Sequence, residues 1–366
     1  MVGGRIALLV ALLYLFLVAI KLLEGGIKMF GEGTAEGLFT GVANPFAGLA
    51  VGILATALMQ SSSATTSIIV GLVGSGTLGV STAVPMIMGA NIGTTVTNTL
   101  VSIGHVRRSQ EFRRAFAAAT VHDFFNVMAV AVMLPLELAT GFLSKSAHAI
   151  ASGLEMGGGG AFKSPIKTAV KAGAGVFQDF VTGTLGISGG AAAGILLGIG
   201  VVLVFVALAA ITKNMRSLIA AKAEKALNAA LKRSAVFAVA IGTLVTVAVQ
   251  SSSITTSLLV PLCGSGILTL EAAFPVMLGA NIGTTITAFL ASMASDQISG
   301  LEIALVHVLF NTIGVIGVYP VKAIRRFPMR LATGLAVRAT GNKLWVLAYV
   351  GFLFVLVPMT GILLFR

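Results

Sequence analysis

The chain repeats itself across 190 residues, and that repeat constrains its fold more than any other feature. Gln60-Ser61-Ser62-Ser63-Ala64-Thr65-Thr66-Ser67 returns as Gln250-Ser251-Ser252-Ser253-Ile254-Thr255-Thr256-Ser257, and Gly89-Ala90-Asn91-Ile92-Gly93-Thr94-Thr95 returns as Gly279-Ala280-Asn281-Ile282-Gly283-Thr284-Thr285. Aligned without a gap, 51–104 and 241–294 share 28 identities in 54 positions. A third echo, His122-x-x-Phe125-Asn126 and His307-x-x-Phe310-Asn311, follows at an offset of 185. Identity on this scale makes the chain a duplicated unit, and duplication decides architecture before any local propensity does.

The solvent of that unit follows from composition. Hydrophobic residues make up 57% of the 366 and charged residues only 10%, against about 25% charged in soluble domains. Ordinary water-soluble enzymes are thereby excluded. The net charge of +12 does not point to nucleic acid, because the basic residues lie in short runs between apolar spans. Cys263 is the single cysteine, which excludes an intrachain disulfide and a cysteine metal cluster.

Apolar stretches near the roughly 20 residues needed to span a bilayer lie at 5–23, 79–103, 115–140, 186–211, 269–294, 303–321 and 344–365. The arms on either side of each Gln-Ser-Ser-Ser are too short to cross, so each pair is expected to be a re-entrant hairpin with its polar tip deep in the bilayer. Backbone at that depth is tolerated only inside protein or a wet cavity. Each half then has three crossings and one hairpin, and an odd number of crossings inverts the second half. Arg5, the 107–114 turn, 213–233 and 322–343 hold 17 of the 24 Lys and Arg and fall on one side, which the positive-inside rule makes cytoplasmic. The expectation is an all-α integral membrane protein of two inverted-topology repeats, each with a re-entrant helical hairpin and a discontinuous helix, plus one extra C-terminal helix. The boundaries are 1–140 for repeat 1 (hairpin 44–73, broken helix 79–103) and 141–185 for an external linker loop holding the glycine run 157–160. Repeat 2 follows over 186–321 (hairpin 236–263, broken helix 269–294), then a basic cytoplasmic loop and final transmembrane helix over 322–366. The start reads as an uncleaved first helix with a cytoplasmic N-terminus, 213–233 as an amphipathic surface helix, and the last span as scaffold.

A serine-rich tip offers helix N-terminal amides, hydroxyl donors and a Gln amide. Gln60, Ser61, Ser62, Ser63, Gln250, Ser251, Ser252 and Ser253 therefore suit a tetrahedral oxyanion, as broken-helix transporters hold anions at helix N-termini. The alternative is that these hydroxyls only pack and bond back to their own helices. Glycine between Asn and Thr is expected to interrupt the helix and free carbonyls. Neutral oxygens from Asn91, Thr94, Thr95, Asn281, Thr284 and Thr285, with Thr65 and Thr255 from the tips, then suit Na+ rather than a divalent ion; a kink with small-residue packing is the alternative. Asp123 lies about 13 Å into its span by helical rise, a functional position by default unless it pairs with a cytoplasmic arginine. His122 and His307 read as interhelical hydrogen-bonding partners.

These motifs resemble the type II sodium–phosphate cotransporter family, whose signature is a pair of Gln-Ser-Ser-Ser repeats. The likeness is most specific in Gln60–Ser67, 89–97, Phe112 to Asn126, Gln250–Ser257 and 279–287. It implies inward cotransport of inorganic phosphate with Na+ as the co-transported ion, no organic cofactor, a cell (inner) membrane location, and room for a homodimer. Asp123 and Asn126 match sodium-site positions, and the aspartate implies an electrogenic cycle. The chain departs from animal members at His105 and Arg108 in the loop before Phe112, and at Ala280. Arg108 is expected to supply a tethered positive charge where those members bind one of their sodium ions. Rival readings are a sodium-coupled carrier of another oxyanion or a dicarboxylate, a channel, and an intramembrane serine hydrolase pairing a motif serine with His122 or His307.

Overall fold

The computed structural model describes residues 2–29, 44–157, 165–230, 234–295 and 297–365, and among these every regular element is a helix. The first half carries α1 (Val2–Met29), α2 (Pro45–Met59), α3 (Ser62–Gly74), α4 (Val80–Gly93), α5 (Val96–Ile103) and α6 (Ser109–Thr140). Then come α7 (Phe142–Gly157) and α8 (Pro165–Asp179), the latter closed by a π turn at Phe180–Thr184. The second half carries α9 (Gly189–Ala230), α10 (Ala235–Val249), α11 (Ser252–Ser265), α12 (Leu270–Ser292) and α13 (Ile298–Val318). The chain ends in α14 (Lys322–Gly341), α15 (Leu344–Gly351), a π turn at Phe352–Leu356 and α16 (Val357–Phe365). Six of the described segments are long and apolar enough to cross a membrane: Gly3–Met29, Ser109–Thr140, Gly189–Met215, Leu270–Ser292, Ile298–Val318 and Leu344–Phe365. The protein is an all-α, multi-pass membrane protein.

Helix α2 starts where Asn44 Oδ1 accepts from Phe46 N at 2.9 Å with Pro45 in the first turn, a combination pre-set for helix entry. At its far end the chain turns back on itself. Thr56 Oγ1 donates to Thr65 Oγ1 at 3.0 Å, and Thr246 Oγ1 to Thr255 Oγ1 at 2.8 Å. Nine residues of continuous helix would separate such a pair by about 13 Å, so α2–α3 and α10–α11 are both helical hairpins.

Two equivalent glycines set how tightly the hairpins dock. A Cβ on Gly89 would lie 2.1 Å from Leu49 O, and one on Gly279 would lie 2.0 Å from Val239 O. Only glycine lets α2 lie against α4, and α10 against α12, at that separation. The serine-bearing arms then pack across the halves, α3 on α12 and α11 on α5. This exchange of partners carries the two hairpin tips toward each other.

Four expectations need correction. The break expected in both repeats occurs in one: 79–103 is interrupted at Thr94–Thr95, whereas Leu270–Ser292 is a single helix. The glycine of the motif is not what breaks it, because Gly93 and Gly283 both serve close packing, their Cβ positions 2.5 and 2.6 Å from Ile53 O and Thr243 O. The interruption goes with Asn98, whose Oδ1 accepts from Thr256 Oγ1 at 3.0 Å and Ser257 Oγ at 3.1 Å on α11; the equivalent residue, Ala288, has no such group.

The other three concern segments read as loops or as separate. Residues 141–185 carry helices rather than a loop, and Glu137 caps α7 by accepting from Leu143 N at 2.6 Å and Ser144 N at 3.2 Å. Of the glycine run, 158–160 lie outside the described residues. The basic segment 322–343 is also helical, as α14. Residues 213–230 continue α9 instead of forming a separate surface helix, and 231–233 lie outside the described residues.

Candidate functional site: two hairpin tips in one cavity

The two tips have matching backbones. Gln60 ends α2 at φ 54°, ψ 25° and Gln250 ends α10 at φ 56°, ψ 28°; among the described residues they are the two non-glycine residues with positive φ. That conformation costs an L-residue roughly 1–2 kcal/mol, and the side chains supply matching compensation. Gln60 Nε2 donates to Ala57 O and Gln250 Nε2 to Val247 O, while Thr97 Oγ1 donates to Gln60 Oε1 at 2.9 Å and Thr287 Oγ1 to Gln250 Oε1 at 3.0 Å. Both glutamine amides are thus spent on holding the turn.

The reversal leaves Ser61 and Ser251 extended as N-caps, Ser61 Oγ accepting from Ala64 N at 3.2 Å and Ser251 Oγ from Ile254 N at 3.4 Å. Ser62, Ser63, Ser252 and Ser253 then occupy the first turns of α3 and α11. Their backbone N–H groups have no intrahelical acceptor there, and the helix dipole adds partial positive charge. All eight residues of the two tetrads line one cavity of about 270 Å³, with Phe205, Leu208 and Thr212 of α9 on its wall. That is below the usual volume of drug-sized ligand pockets and suits a small ion. Among the described residues lining it none is charged, so its polarity comes from hydroxyls, amides and dipoles.

The residues expected to hold a cation fall into separate groups. Asn91, Asn126 and Asn281 are buried together: Asn126 Nδ2 donates to Asn91 O at 2.8 Å, Asn281 Nδ2 donates to Asn126 Oδ1 at 2.8 Å, and His122 Nε2 meets Asn281 Oδ1. This network ties the halves together and makes His122 the interhelical partner expected of it. His307 is not one: both its ring nitrogens, and Asn311 Oδ1, are buried with no partner among the described residues. Thr94, Thr95 and Thr285 donate back to Ala90 O, Ile92 O and Ile282 O. Ser63 Oγ and Thr284 Oγ1 lie 3.4 Å apart, a contact between the first tip and the second half. Thr65 and Thr255 brace their hairpins as described.

Asp123 stands apart from both groups. Fully buried, it takes a hydrogen bond from Tyr349 OH at Oδ2, and its Oδ1 has no partner among the described residues. Among the described residues, neither an arginine nor an asparagine of the network bonds it. Arg108 is corrected outright: its side chain is 77% exposed and pairs with Glu111 Oε1 at 2.9 Å, where His105 Nδ1 also meets the same carboxylate at 3.3 Å. It delivers no charge to the buried network. Ala280 is fully buried beside Asn281.

Sequence reasoning missed Thr97, Thr287, Asn98 and Tyr349. Thr97 and Thr287 were detectable as a polar pair conserved between the repeats at the same offset, and Asn98 as a polar residue facing Ala288 in the alignment. Tyr349 lies outside the repeat and gave no signal. The last span is therefore more than scaffold, since it supplies the partner of the buried carboxylate. No hydrogen bond among the described residues joins a motif serine to His122 or His307, and the hydrolase reading is not favoured.

Comparison with known proteins agrees with this layout. The family model described as Na+/Pi-cotransporter matches residues 15–156 and 203–344, taking one hairpin tip in each match. The sodium-dependent phosphate transport protein 2A of sheep is 33% identical over 97% of this chain and 66% of its own length, and that of rabbit 34% over the same shares. The human sodium-dependent phosphate transport protein 2B is 31% identical over 98% of this chain and 64% of its own. The chain thus spans slightly less than two thirds of these relatives. No solved structure matches. Two family matches, each containing one of the tetrads that share the cavity, place the chain in the Na+/Pi-cotransporter family.

Proposed function

We propose that the chain is a secondary active transporter that takes up inorganic phosphate with sodium by alternating access. One observation carries the reading: two Gln-Ser-Ser-Ser tetrads, 190 residues apart, line a single uncharged cavity. Serine hydroxyls and the N-terminal amides of α3 and α11 replace the water around the anion. Several weak donors release it again more readily than a fixed arginine would. The relatives named for sodium-dependent phosphate transport support the choice of ions.

Sodium is the second substrate. The oxygens of Asn91, Asn126, Asn281, Thr94, Thr95, Thr284 and Thr285 are its candidate ligands, with Asp123 as a charged one. A cation bound near the anion lowers the cost of burying both, so each raises the affinity for the other reciprocally. Net inward positive charge draws on the membrane potential at about 2.3 kcal/mol per charge per 100 mV.

The two units, 1–140 and 186–321, are inverted repeats, and α2–α3 and α10–α11 are re-entrant from opposite faces. Their arms of 13 to 15 residues reach about 20 Å, short of the bilayer's roughly 30 Å core. Basic segments including α14 lie on the cytoplasmic side of the inner membrane, as does the N-terminus. The test is phosphate uptake into proteoliposomes with the sodium gradient and the potential varied separately. Uptake driven by the sodium gradient supports the symporter, a further drive from the potential makes it electrogenic, and uptake indifferent to sodium removes the proposal.

A further inference from the structure

A second cavity lies away from the hairpin tips. It measures about 550 Å³ and opens between the start of α12, the end of α13 and one face of α14. Lys322, Arg325, Arg326 and Arg330 line it against one carboxylate, Glu271, so it holds three net positive charges. Lys322, Arg326 and Arg330 have no hydrogen bond or ion pair among the described residues. Arg325 is held in place, its guanidinium 5.2 Å from the centre of the Tyr319 ring and donating to Tyr319 O at 3.4 Å. Like charges gathered round a concavity repel one another unless an anion joins them, and arginine forks match the oxygens of a phosphate.

The position of α14 supports this. Ile324, Phe327 and Leu331 are exposed at the i, i+3, i+7 spacing of one helix stripe, on the flank away from the cationic residues. A helix with an exposed apolar stripe and a basic face settles at the membrane–water boundary, the depth of lipid phosphates. Basic pockets between membrane helices commonly take phosphate-bearing headgroups there.

We infer that the Lys322–Arg325–Arg326–Arg330 cavity is a second anion site, distinct from the transport cavity, that binds a phosphate group borne by an anionic phospholipid or a soluble phosphate. The test uses the purified full chain. One arm counts phosphatidylglycerol retained from mixed phosphatidylglycerol–phosphatidylcholine vesicles; the other measures inorganic phosphate binding without sodium. The variant is Lys322→Gln/Arg326→Gln/Arg330→Gln, at three exposed positions, with Arg338→Gln on the same helix outside the cavity as control. A fivefold or greater loss in the first arm supports the site with a lipid as source, and the same loss in the second supports it with a soluble phosphate. A triple variant within twofold of the Arg338→Gln control in both arms overturns the inference. On the unmodified chain, binding of either probe that does not weaken as ionic strength rises also overturns it.

Discussion

The hydroxyl of Tyr349 donates to Asp123 Oδ2, tying the last apolar segment to a fully buried carboxylate on α6. The ring of Tyr349 packs edge-on to Phe116 and Phe354 at centroid distances of 6.3 and 6.1 Å. If Asp123 takes part in binding sodium, the phenol competes with the ion for one of its oxygens. A hydrogen bond to a charged group contributes about 1.5–3 kcal/mol. Tyr349→Phe removes the competitor without emptying the packed site. The sodium concentration for half-maximal uptake should fall about tenfold, measured in proteoliposomes. An unchanged sodium dependence would separate Tyr349 from the ion.

Ser62 and Ser252 are buried cavity-lining residues at equivalent points of the two tips. Replacing either with alanine removes one hydroxyl donor and leaves the hairpin-bracing threonine pairs intact. Uptake should fall by more than tenfold for each variant, with elution from a sizing column unchanged. Activity close to that of the unaltered protein in both would remove the tips from the substrate path.

Arg108 lies at the surface in its pair with Glu111. Exposed pairs are screened by water and contribute little, and the buried asparagine network receives nothing from this one. Arg108→Gln should therefore leave both uptake and its sodium dependence within about twofold. A large change would restore the charge-replacement role that the sequence suggested.

A methyl group at Gly279 would lie 2.0 Å from Val239 O, where no flexible side chain can yield. Overpacking of this kind costs about 1–3 kcal/mol, and a backbone obstacle puts it at the upper end. Gly279→Ala should lower the thermal midpoint clearly. Gly175→Ala, with nothing within 4 Å, should hold or raise it, since alanine is favoured in helices by roughly 0.5–1 kcal/mol.

What the sequence revealed was what repetition encodes. Both hairpins, the polar tips and their convergence follow from two tetrads separated by 190 residues, because a duplicated unit repeats its turns. The asymmetries were harder to see. Gly93 and Gly283 look alike on paper, yet the helix is interrupted only after the first, in the repeat where Asn98 accepts from Thr256 and Ser257 and the equivalent residue is Ala288. The helices at 142–157, 165–179 and 322–341 were hidden by glycine and charge, which read as loop; the first of them takes its cap from Glu137, in the preceding helix. Tyr349 could not have been matched to Asp123, since 226 residues separate them and only the tertiary fold brings them together.

Two tetrads line one cavity, and a single phosphate held by both is the expected consequence. Equilibrium binding of radiolabelled phosphate to the purified protein in sodium, with the basic-cavity triple variant as background, measures that directly. The prediction is one phosphate per chain, with binding abolished by Ser62→Ala alone and by Ser252→Ala alone. Two phosphates per chain, with each substitution removing one and sparing the other, would contradict it.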